Sequence, residues 1–365
     1  MPDFLATSNL QKKVSSHLIE PFNEMTTFLF RRSVEKAFQL DESPPDLTLN
    51  PTKPLGSNPP FITSAVDDVM YIVNQVLQRT LATSQRAIIA SAEPTITRVL
   101  GNEFIGMIQR KMRDESYPKP VIQGGLPPED KVIAFLILLN NLDVSNDYMK
   151  RIVEQQVPSS TLQDLYPFGH DAVFVETRLK ALHYSFTTKS TELINVGITV
   201  LFREVLKPRI RPILTEAFRD IDYAPEDTSD TEAEIADTDV VKSRFDRTWN
   251  VVIRPLKRIL TPTNFDRLLA LALSALAAAL EKRIRSYYGR VNELGAVRLE
   301  RDVAGVVQAA VAGGKYGLRD AFTKVGQMMM ILNMEEDEWE DVEGSGVEWV
   351  LDEEERGRVR AIVKG

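Results

Sequence analysis

The chain has 365 residues, 43% hydrophobic and 26% charged, with 52 acidic against 44 basic side chains and a net charge of -8. That length predicts two or more packed units, the near-average composition excludes a disordered or membrane-embedded chain, and the acidic balance excludes a general nucleic-acid binder. With no cysteine, disulfides, thiolate metal sites and cysteine nucleophiles are excluded, which fits a reducing, cytosolic setting.

The opening "MPDFLATSNLQKKVSSHL" has no apolar core of secretory type. Residues 1–40 form the first segment, in which Leu18, Phe22, Met25, Leu29, Phe30, Val34, Ala37 and Phe38 recur at helical spacing, with Pro21 a break point. Residues 41–60, "DESPPDLTLNPTKPLGSNPP", carry six prolines and predict extended, solvated backbone. A helical unit is expected over 61–219. It opens on "SAVDDVMYIVNQVLQRTLATS", with Ser64 as N-cap and acids in the first turn.

A helix follows from about Thr95 to Arg113. "DKVIAFLILLNNLDVSNDYMKRIVEQQV" then predicts a buried helix, or a helix pair broken at "NNLDVSND". The two prolines of "KPRIRP", Lys207 to Pro212, predict a kink. Residues 220–239 hold nine acids and no Lys or Arg, a self-repelling stretch that reads as a disordered loop and a domain boundary.

From 240 to 365 the pattern is helical again. Phe265, Leu268, Leu269, Ala272, Leu276, Leu280 and Ile284 form one stripe, and the apolar run Leu268 to Leu280 is shorter than the roughly 20 residues that span a bilayer. Two helices separated by "GGK" follow, and a last one begins at Asp352 with Glu355 at its capping-box position.

Chemical motifs are sparse. His17, His170 and His183 show no paired-ligand spacing, and "AGGKYG" misses the phosphate-loop pattern. Acids such as Asp67 and Asp68 sit where a helix N-terminus accounts for them. No catalytic, cofactor-binding or metal-binding residue is assigned, and the chain reads as a non-enzyme. Met328, Met329, Met330 and Met334 cover a core face and its neighbour, so the run is either buried packing or in part an adaptable surface. Arg283, Arg285 and Arg290, interleaved with Tyr287 and Tyr288, form a candidate basic patch compatible with phospholipid, acidic protein or nucleic acid, or else a solvated helix end.

Several blocks carry a resemblance: "FLFRRSVEKAFQLD", "SAVDDVMYIV", "LLNNLDVSNDYMKRI", "FTKVGQMMMILNM" and "EWVLDEEERGRVRAI". In this order and spacing they resemble the C-terminal half of the family of subunit 4 of the conserved oligomeric Golgi complex, over most of the chain. The resemblance implies an all-α fold of elongated, stacked helical bundles of the tethering-complex rod type, residues 1–40 continuing a rod that begins further upstream. It implies a cofactor-free vesicle tether in intra-Golgi retrograde transport, peripheral to the cytoplasmic face of the Golgi membrane. Its partners would be other subunits of the complex, SNAREs, Sec1/Munc18-type proteins and Rab proteins, with no nucleic acid.

Members of the family are about twice this length, which implies a fragment. The family pattern also places a basic residue in the "FTKVGQMM" helix and an acid in the final helix; the matching Lys324 and Glu355 are expected to pair and fix the terminal subdomain. The alternative is a helical adaptor or scaffold outside the Golgi system.

Overall fold

The computed structural model describes residues 9–122, 125–157, 159–224, 239–312, 314–342 and 346–363. Most of the acidic stretch 220–239, the first glycine of "GGK" and part of "VEGSG" lie outside them. The fold is all-α. Its principal helices are α1 (Glu20–Gln39), α2 (Ser64–Leu81), α3 (Arg86–Val99), α4 (Glu129–Gln156), α5 (Ser159–Leu165), α6 (Asp171–Leu201) and α7 (Lys207–Ala217). They continue as α8 (Val240–Ile259), α9 (Pro262–Arg285), α10 (Glu293–Val311), α11 (Thr323–Leu332), α12 (Glu336–Glu340) and α13 (Glu353–Arg360). Among the described residues the only β-type pairing is one isolated bridge, Val291 to Val363.

Backbone proximity divides the chain into two compact units. The first comprises Met1–Pro118, Pro128–Ile198 and Ile259–Asn264; the second comprises Lys119–Pro127, Thr199–Arg258 and Phe265–Gly365. In the first unit, α4 buries Phe135, Leu136, Leu139, Leu142 and Met149, while Phe104 sits between the tilted rings of Phe38 and Phe186, with centroids 5.8 and 6.2 Å away. The polar "NNLDVSND" does not break α4, which runs through it for 28 residues. Its amides are instead used inside the core. Asn140 Nδ2 donates to Phe61 O (3.0 Å) and Ile259 O (2.7 Å), and its Oδ1 accepts from Thr261 N (2.9 Å). Asn141 Oδ1 accepts from Thr63 N (2.9 Å), and Asn264 Nδ2 donates to Leu139 O (2.9 Å). Two non-helical segments thereby find the partners that their buried peptide groups require.

The proline-rich residues 41–60 form no helix but are pinned rather than free. Asp41 bonds Lys111 Nζ at 2.8 Å and accepts Ala65 N at 3.0 Å, and Glu129 Oε1 accepts Leu49 N at 2.7 Å. The first turn of α2 is thus served by a distant Asp41, with Thr63 at the N-cap position rather than Ser64. Helix α1 buries Phe30, Val34 and Ala37, whereas Leu18, Met25 and Leu29 of the same periodic pattern are exposed.

In the second unit the expected α9 stripe, Phe265 to Ile284, is buried, and Phe245 stacks on Trp249 at 5.5 Å. The apolar run lies within the 24-residue helix α9, which is long and apolar enough to cross a membrane by length and composition, and half of its most apolar window is buried in the fold. Before α7 the backbone widens into a π-helical segment, Phe202–Leu206, which absorbs Pro208 at the start of the next helix. Gly295, in the first turn of α10, has no room for a Cβ: one would stand 1.7 Å from Tyr223 O.

Candidate functional site

The sequence-selected charges gather where α9, α11 and α13 of the second unit meet. Asp352 starts α13 by accepting Glu355 N at 2.7 Å, three acids occupy the first turn, and Arg358 and Arg360 the last, which suits the helix dipole at both ends. The cap sets the direction in which Glu355 leaves the helix. Its Oε1 accepts Lys324 Nζ at 2.7 Å and Arg285 Nη2 at 3.0 Å, and Glu281 Oε2 lies 3.8 Å from Lys324 Nζ. Glu281 and Arg285, four residues apart on α9, face the same way. Two cations and two anions therefore close a half-buried, charge-balanced cluster. The Lys324 hydrogen bond, with help from Arg285, holds the Glu355 carboxyl below the usual glutamate range.

Helix α11 has two faces. Val325, Met328, Met329, Ile331 and Leu332 are buried, Met334 is partly covered and Met330 is 45% exposed, so the methionine run is mainly core packing. The polar face fastens the segments around α13. Gln327 donates to Glu348 O (2.7 Å) and accepts Val350 N (2.8 Å); Arg360 donates to Met334 O and to Glu336 (2.9 Å), supplying partners just past the C-terminus of α11. Arg356 is buried, donating to Leu351 O at 3.1 Å and lying over Trp349 at 5.5 Å. Sequence reasoning does not single out Gln327, Arg356, Arg360 or Glu281, and it places Arg285 in a basic patch rather than beside Glu355, although the four-residue spacings 281/285 and 356/360 mark shared helix faces.

The candidate patch Arg283, Arg285 and Arg290 divides. Arg285 belongs to the cluster with Glu355. Arg283 turns the other way, donating to Tyr287 Oη (3.1 Å) and Phe218 O (3.4 Å) with its guanidinium over the Phe218 ring. Arg290 folds back on Ser286 O, and its guanidinium lies 5.9 Å from the Tyr287 ring that Arg283 approaches at 5.7 Å. Beside this group, buried Tyr223 donates to Asp302 at 2.8 Å and meets Tyr287 edge-on at 5.1 Å. Burial raises both the Tyr223 and the Asp302 pKa.

No three His, Asp or Glu side chains among the described residues are grouped to hold a metal ion. The arrangement favours the ionised Glu355 and sets two cationic donors on its Oε1, which suits cohesion between helices rather than proton transfer.

Two family models match the sequence: "COG4 transport protein, middle alpha-helical bundle" over residues 1–112 and "Conserved oligomeric Golgi complex subunit 4, C-terminal" over residues 135–358. Curated relatives named conserved oligomeric Golgi complex subunit 4 include those of Arabidopsis thaliana, 28% identical over 84% of this chain and 39% of the relative, and of Schizosaccharomyces pombe, 24% identical over 91% and 43%. The Homo sapiens relative is 24% identical over 91% of this chain and 43% of its own length. The chain thus spans less than half the length of these three relatives. In fold it is similar to the C-terminal domain of the exocyst subunit Sec6p, with a TM-score of 0.56, 13% identity and coverage of 97% of this chain and 86% of that one.

Proposed function

The chain belongs to the conserved oligomeric Golgi complex subunit 4 family, and from that premise we propose that it is the C-terminal portion of a non-enzymatic Golgi vesicle tether acting in intra-Golgi retrograde transport. It joins other subunits of the complex and binds SNAREs, Sec1/Munc18-type proteins and Rab proteins. It works at the cytoplasmic face of the Golgi membrane as a peripheral component. The match of the C-terminal family model over residues 135–358 carries this assignment. The site chemistry is compatible with it, since ionised, mutually neutralising side chains hold helices together and leave recognition to the helical surface. Several weak contacts of this kind gain strength when they act together in one complex.

The test is affinity capture with the tagged chain in cells, read by mass spectrometry. Recovery of other subunits of the complex together with Golgi SNAREs is the expected result. Recovery of neither would overturn the assignment and favour an adaptor outside the Golgi system.

A further inference from the structure

We propose that the groove between α7 and α9 in the second unit docks an acidic amphipathic helix of a partner protein. The groove encloses about 740 Å³. Its α7 wall presents Lys207, Ile210, Arg211 and Leu214 at spacings of three, four and seven residues, a single helix face. Helix α9 contributes Ala275, Ala278 and Ala279 as the floor and Lys282 and Arg283 as cations on its own side. Four cationic side chains line the groove and no acid does. That local balance opposes the chain's net charge of -8.

The neighbouring acids are engaged elsewhere: Glu216 bonds Arg219 at 2.9 Å, and Glu281 lies toward Lys324. Lys207, Arg211 and Lys282 are exposed, and among the described residues none has an acid within ion-pair distance. Arg283 is held against Phe218 and Tyr287, so one edge of the groove carries a fixed cation.

The shape selects the occupant. Alanines in the floor let a third backbone approach closely, and Ile210 and Leu214, both almost fully buried, add only a thin apolar strip, so a guest needs a narrow apolar stripe. Cations on both sides of that floor ask for acids along both edges of the stripe. From Ala275 to Ser286 the α9 side runs about 16 Å at 1.5 Å per residue, the length of about three helical turns. A flat anionic bilayer would not reach a floor recessed between two helices. The groove also lacks the aromatic platforms on which single-stranded nucleic acids stack. The inference does not rest on the tethering assignment.

The test uses the full chain and a stapled peptide helix of about three turns, with leucine and alanine on one stripe and glutamates along both edges. A lysine-edged counterpart and vesicles of equal parts phosphatidylserine and phosphatidylcholine serve as competing probes. Fluorescence anisotropy should show binding of the glutamate peptide, weakened at least about tenfold by Lys207→Glu with Arg211→Glu. The lysine peptide should bind only the charge-reversed variant, and hydrogen exchange should slow over residues 207–215 and 275–286 on binding. If the reversed variant unfolds, Lys207→Gln with Lys282→Gln serves in its place, with a smaller loss expected.

Absence of glutamate-peptide binding, binding indifferent to these substitutions, or charge-dependent binding of vesicles without the peptide would each overturn the proposal. Subunit capture with the same variants separates the two ideas, because loss of peptide binding with retained capture leaves the tethering assignment standing.

Discussion

Lys324 and Glu355 meet at 2.7 Å across 31 residues of sequence, and Arg285 reaches the same carboxylate oxygen. Lys324→Glu would set a third carboxylate beside Glu281 and Glu355. We expect a loss of about 1–3 kcal/mol, between the values for exposed and buried pairs, read as a lower Tm by calorimetry. The pH dependence has a definite sign. Because the folded Glu355 carboxyl titrates below its unfolded value, its contribution is complete above the ordinary glutamate range and is lost as pH falls through the depressed folded value. Glu355→Gln should therefore be less stable than wild type at neutral pH, with the gap closing on acidification.

Asn140 saturates three backbone groups from two segments distant in sequence. Asn140→Leu keeps the branched heavy-atom shape, replaces the amide with two bulkier methyls and orphans all three backbone groups in a fully buried site. A loss of about 2–5 kcal/mol is expected, measured by denaturant unfolding, and Asn140→Asp should be no milder at neutral pH because its carboxylate would be buried against the Phe61 and Ile259 carbonyl oxygens.

Tyr223→Phe removes the hydroxyl that Asp302 accepts, at a cost of about 1–3 kcal/mol near neutral pH. Asp302 already titrates above the ordinary aspartate value because it is buried. Stability therefore falls as pH rises through the interval between the unfolded value and the raised folded one. In the variant that interval should extend upward, since the lost hydrogen bond favoured the ionised carboxylate. Urea melts across a pH series would show the deficit of Tyr223→Phe shrinking as Asp302 becomes protonated.

Within the methionine run the neighbours should differ sharply. Met328 is fully buried and Met330 is 45% exposed. Met328→Ala is expected to cost about 2–5 kcal/mol through lost packing and a residual cavity, and Met330→Ala under about 1 kcal/mol. Paired thermal melts of the two variants test this.

Helical periodicity made the secondary structure legible, because an apolar stripe such as Phe265 to Ile284 has one geometric solution. It failed at "NNLDVSND", where polar residues signal a break in an isolated helix but here serve carbonyls and amides brought in by residues 61–63 and 259–264. No local pattern encodes such distant partners. The same limit explains why Lys324 and Glu355 were singled out through a family resemblance, while Arg285 was read as part of a surface patch. Its partner lies 70 residues away, and one-dimensional spacing does not show which way a guanidinium turns. The α7–α9 groove was invisible for a related reason: "KPRIRP" and "EKRIRSYYGR" are ordinary basic helix ends until folding sets their cations around an alanine floor.

The stitch at Asn140 carries a consequence for how the polypeptide is made. Residues Ile259–Asn264 complete the first compact unit although most of that unit ends at Ile198. During synthesis the Asn140 side chain and the Leu139 carbonyl therefore lack these partners until residues 259–264 have emerged and folded back. Severing the protein at its acidic stretch would leave the N-terminal piece permanently in that unfinished condition.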